Sequence, residues 1–208
     1  MVSQGRSSEG IREASRAAEL DPLSAQVLNN YALVLTYARK YEEAADQARR
    51  ALELEPSAEG HQYLGQAYLF KGKFGDAIQE LQTALDLLGG CGRTAPNLSR
   101  LGIAYARAGQ RDKALGILED MKRLVASGDQ TLTGYAVSIA YLYGELGDHD
   151  RAFESLERAR QEHEYVLTNL RVNPLVDSLR SDPRFQQTAE EGGAGGVMVR
   201  ERAILRSA

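Results

Sequence analysis

Tryptophan is absent from this chain of 208 residues, and cysteine occurs once, at Cys91. A lone cysteine excludes an intramolecular disulfide and any cysteine-rich zinc site. Histidine is almost as scarce: His61, His149 and His163 are far apart in sequence, and no metalloprotease or serine-hydrolase motif accompanies them. No apolar run approaches the roughly 20 residues of a membrane-spanning helix. The first ten residues, MVSQGRSSEG, hold no apolar core of a secretory signal. An excess of positive charge is missing too: the net charge is −4, which speaks against a partner bound through nucleic-acid phosphates. The expected compartment is the cytoplasm. Hydrophobic residues make up 43% of the chain, enough for a folded core.

What the chain does have is repetition. Segments starting near Ala32, Leu64, Leu101 and Ile139 align with one another. Each carries a small residue (Ala32, Gly65, Gly102, Ala140) and, three positions on, Leu35, Tyr68, Tyr105 or Tyr143. Twelve positions after the small residue stand Ala44, Ala77, Ala114 and Ala152; seven further on stand Ala51, Ala84, Met121 and Ala159. Apolar and small residues three and four apart follow the helical period. Gly72, Gly109 and Gly147 fall where a first helix should end, and Pro22 and Pro56 follow second helices. The spacing therefore predicts stacked helical hairpins. One hairpin cannot bury its own apolar stripe; neighbours in a stack bury it together.

These residues resemble the tetratricopeptide repeat family. Leu64-Gly65, Tyr68, Ala77, Leu81 and Ala84 match its signature, as do Leu101-Gly102, Tyr105, Ala114 and Leu118. The signature tryptophan is missing throughout, and Gly89 stands where a proline is expected. The fold implied is an all-α, right-handed superhelical solenoid of stacked antiparallel helix hairpins. Residues 1–9 are expected to be disordered. Residues 10–163 form half a repeat plus four hairpins, residues 164–187 a C-terminal cap, and residues 188–208 a disordered tail. The half repeat, Gly10 to Pro22, reads either as a capping helix resting on Ile11, Ala14, Ala18 and Leu20 or as a repeat entered part-way. Asn173-Pro174 and Asp182-Pro183 are helix-start signals. They put Val172, Leu175, Val176, Leu179 and Phe185 in the cap. The run Leu179 to Phe185, Leu-Arg-Ser-Asp-Pro-Arg-Phe, resembles one found after such repeats in multidomain bacterial proteins.

No catalytic constellation emerges. Cys91 lies in a glycine-rich loop without an assignable base, and Glu42 and Glu43 with Arg49 and Arg50 follow helix-dipole logic. No catalysis, cofactor or metal is expected. The resemblance implies instead a protein-interaction scaffold whose first helices line a concave groove. Its groove positions fall on Asn29, Leu33 and Tyr37 in the first hairpin and on Gln62, Gln66, Leu69 and Phe70 in the second. They continue at Ser99, Ile103 and Arg107 in the third and at Val137 and Tyr141 in the fourth. Apolar residues prevail among them, so an apolar peptide or an amphipathic helix is the expected ligand. The carboxylate clamp of chaperone-binding relatives is incomplete, with only Asn30 and Arg100 in place. Charging Leu69 and Ile103 together is expected to abolish binding while sparing helicity. Two rivals stand beside this reading. The segment from Tyr165 to Phe185 could cover the strip, or the chain could be the sensor or scaffold arm of a larger bacterial signalling or transcription-regulatory protein.

Overall fold

The computed structural model describes residues 7–89, 94–126, 134–162, 167 and 169–190. Cys91, His163 and the tail beyond Glu190 lie outside these. Among the described residues there is no strand. A single helix, α1 (Ser7–Leu20), is followed by four helix pairs. These are α2 (Ala25–Tyr37) with α3 (Tyr41–Leu54), and α4 (Ala58–Phe70) with α5 (Phe74–Leu88). Then come α6 (Ala95–Arg107) with α7 (Arg111–Ala126), and α8 (Tyr135–Glu145) with α9 (His149–Gln161). The even-numbered helices are the first, inner helices of the hairpins.

Local chemistry sets the boundaries. Ser24 and Ser57 cap α2 and α4, their hydroxyls accepting from Val27 N at 3.3 Å and Gly60 N at 3.2 Å. Gly72, Gly109 and Gly147 turn the chain inside the hairpins at φ of +76°, +75° and +83°. In the first hairpin Arg39 holds the same place at φ +62°.

Packing follows the repeat. All eight residues at the two second-helix positions, from Ala44 and Ala51 to Ala152 and Ala159, are at most 1% exposed. Small residues on the inner helices mark close approach. A Cβ on Gly65 would meet Leu81 Cγ at 2.8 Å, and one on Gly102 would meet Leu142 Cδ2 at 2.8 Å. Tyr68, Tyr105 and Tyr143 are covered by cations, among them Lys73, Lys113 and Lys122. His61 Nδ1 lies 2.6 Å from Glu80 Oε2, tying α4 to α5.

The ends depart from expectation in two ways. Leu20 faces solvent and does not rest on the next hairpin, because α1 finishes there and turns its narrower apolar face, with Ile11, Ala14 and Ala18, inward. At the other end Asn173-Pro174 starts a 3-10 turn, Pro174–Leu179, with Asn173 Oδ1 accepting from Leu175 N at 3.0 Å. Leu175, Val176, Leu179 and Phe185 are buried, and Val172 is half-buried. Asp182 Oδ1 accepts from Arg184 N at 3.0 Å, and a helical run over 184–190 follows, burying Ala189. Arg184 joins this run to α9 through Asp150 at 2.8 Å and by lying over the Phe153 ring.

Candidate functional site

The inner helices present the twelve expected groove residues to one another, and the structure divides them. Asn29, Gln66, Leu69, Ser99, Ile103, Val137 and Tyr141 are buried. Leu33, Tyr37, Gln62, Phe70 and Arg107 are half-buried. Of the apolar positions only Leu33, Tyr37 and Phe70, on the first two hairpins, keep partial exposure. Leu69 and Ile103 are fully enclosed. Charges there would be buried without partners, so substituting them would disrupt the fold, contrary to the expectation that helicity is spared.

The fourth hairpin is closed because the C-terminal segment lies on it. Every residue of α8 from Tyr135 to Gly144 is buried. Asn173 Nδ2 donates to Tyr141 Oη at 3.2 Å. A Cβ on Gly144 would meet Leu179 Cγ and Ser178 Oγ at 2.9 Å each.

A belt of contacts runs along the C-terminal ends of the inner helices. Asp177 accepts two bonds from Arg39, Nη1 to Oδ2 at 2.6 Å and Nη2 to Oδ1 at 2.7 Å. Arg39 Nη1 also reaches Tyr41 Oη at 3.3 Å, and the Tyr41 ring stacks on Phe70 at 5.3 Å. The Arg107 guanidinium lies 5.6 Å from the Phe70 centroid and makes two bonds to Glu145, at 2.8 and 2.6 Å. Phe70 and Arg107 were legible as groove positions; Arg39, Tyr41 and Asp177 were not. The available signal was Arg39 itself, an arginine where the other three hairpins have glycine.

Among the described residues the inner helices hold buried polar atoms without partners. Asn29 Oδ1 on α2, Gln66 Oε1 on α4 and Arg100 Nε on α6 are enclosed and unbonded. Among the described residues no carboxylate pairs with Arg100. Burial lowers the pKa of its guanidinium, and the groups that act against that are tyrosines: Tyr37, Tyr63 and Tyr141. Burial, with the Glu59 carboxylate adding to it, pushes the Tyr63 hydroxyl up to about 12. A buried polar group normally has a partner. Three such groups sit on successive inner helices, each without a hydrogen-bond partner among the described residues. Among the described residues no group of three acidic, histidine or cysteine side chains is placed to hold a metal ion, and no helix is long and apolar enough to cross a membrane.

Two family models, each described as tetratricopeptide repeat, match the sequence. One matches residues 2–59 and 32–96 and the other residues 134–159, together more than half of the chain. Comparison with curated proteins gives no match. Among solved structures, the fold is similar to TTC0263, a thermophilic TPR protein of Thermus thermophilus. The TM-score is 0.60 at 20% identity, with 91% of each chain covered. It is also similar to a chain of the APC/C hetero-tetramer Cut9-Hcn1, at TM-score 0.57 and 15% identity. That match covers 90% of this chain and 40% of the other. At these identities the likeness is one of fold.

Proposed function

The chain belongs to the tetratricopeptide repeat family, and from that premise we propose that it is a non-catalytic interaction scaffold of the cytoplasm whose first three hairpins bind an apolar segment of a protein partner. One observation carries the reading. The half-buried side chains Leu33, Tyr37 and Phe70 lie on the same helices as Asn29 Oδ1 and Gln66 Oε1, with Arg100 Nε on the next inner helix; these three polar atoms are enclosed and have no partner among the described residues. A peptide brings what such a surface is short of. Its apolar side chains cover the strip, and one of its oxygens reaches the Arg100 guanidinium. No metal or cofactor enters this reading. The same groove would serve a free adaptor or the scaffold arm of a larger signalling protein.

The test uses peptides selected from a random library on the full chain. Leu33→Glu with Tyr37→Ala should weaken the selected peptides at least tenfold and leave the helical circular dichroism unchanged, since neither side chain is in the core. Affinities that do not change would refute the groove assignment.

A further inference from the structure

Three of the four hairpin turns place glycine in the left-handed region, and the fourth places Arg39 there, at φ +62°. Among the described residues Arg39 is the only non-glycine with positive φ. Side-chain-bearing residues avoid this conformation. What the arginine supplies, and glycine could not, is the two-bond contact with Asp177, 138 positions along the chain. That contact joins the first hairpin to the segment lying on the last.

The segment is seated like a ligand. Leu175, Val176 and Leu179 are buried, Asn173 bonds the Tyr141 hydroxyl, and Asp177 answers Arg39. It is also built to leave. The backbone bonds at the two ends of its 3-10 turn are long, Val176 N to Asn173 O and Arg180 N to Asp177 O, both at 3.4 Å. Ser178 Oγ is enclosed without a partner. Opening strands no charge. Arg180 Nε already bonds Asp177 Oδ1 at 2.6 Å, and the Arg39 side chain is 48% exposed even when paired. The Arg107–Glu145 pair is different: its side chains are 22% and 10% exposed, and breaking it would leave buried charge.

We propose that residues 173–180 are a built-in occupant of the groove, clasped by Arg39 and Asp177, and that a partner displaces them with a short helical turn of the same make: two or three aliphatic side chains around one carboxylate. The displacement rests on the protein-partner reading above; the clasp does not.

The first arm measures amide hydrogen exchange on the full chain. Arg39→Gly suits the turn and keeps the hairpin folded; Asp177→Asn removes the other half of the clasp. Both should speed exchange at Leu175, Val176 and Arg180 at least tenfold and leave the amides of Ala44 to Ala51 unchanged. Equal rates in the wild type and both variants would overturn the clasp, as would acceleration throughout the chain, which would make the segment an integral part of the fold. The second arm titrates a labelled peptide of residues 171–182 into the wild type and the Asp177→Asn chain. Binding at least tenfold tighter to the variant, and lost when the peptide itself carries Asp177→Asn, supports displacement. Equal binding to both chains, or to neither, overturns displacement, whereas only unchanged affinities in the Leu33 and Tyr37 test bear on the groove of the first three hairpins.

Discussion

Replacing Arg100 by methionine separates two roles that a buried arginine can play. Its Nε is enclosed, and among the described residues it has no acceptor and no carboxylate neutralises the guanidinium. An unsatisfied buried donor costs about 1–3 kcal/mol. Part of the side chain keeps contact with solvent, so the lower end of that range applies. Methionine has an unbranched stem that reaches as far as the Nε position and removes the donor and the charge. Arg100→Met should therefore stabilise the free protein by about 1 kcal/mol, a rise in Tm of about 2–4 °C for a chain of this size. Binding should move the other way. A hydrogen bond to a charged group contributes about 1.5–3 kcal/mol, so selected peptides should lose roughly tenfold or more in affinity. The assays are thermal unfolding followed by circular dichroism, and peptide titration on the same sample. A Tm that falls would show that Arg100 braces the fold, and the argument for an unused polar position in the groove would fail with it.

Two further outcomes follow from the packing and from the clasp. Gly102→Ala places a Cβ 2.8 Å from Leu142 Cδ2 and 3.1 Å from Ile117 Cγ2, and should cost about 1–3 kcal/mol in urea unfolding; a neutral result would mean that α6 and α8 can separate without penalty. Burial opposes ionisation of Asp177, but the hydrogen bonds from Arg39 and Arg180 outweigh it and hold its pKa below the ordinary carboxylate value. A depressed carboxylate stabilises the fold above its unfolded pKa and loses that contribution as pH falls through the folded one. Proteolysis between residues 167 and 190 should therefore accelerate at acid pH before the helical signal is lost, and cutting independent of pH would contradict the assignment.

Much of the fold is written locally. The alanines at 44, 77, 114 and 152 report buried helix contacts because no larger side chain fits there, and Gly72, Gly109 and Gly147 report turns because few other residues take that φ. The groove is less legible. Whether Leu69 or Ile103 faces a ligand or a neighbouring helix depends on how far each hairpin rotates against the last, and no single repeat encodes that angle. Tyr141 is met by a segment that lies outside the repeat pattern altogether. Leu20 continues the apolar spacing of α1 but meets nothing, because periodicity describes a face and not what covers it. Arg39 was visible as a break in the glycine pattern, while its partner could be found only in space.

A stack of hairpins is ordinarily a line, in which each unit answers only to its neighbours. The contact between Arg39 and Asp177 adds a closure condition to that line. Small rotations at each interface accumulate from α2 to the 3-10 turn, and their total must bring two side chains to within 2.7 Å of each other. The pair is therefore a gauge of cumulative twist. A substitution at Gly65 or Gly102 that shifts one interface by a few degrees would be read out at Arg39, far from the place where the packing changed.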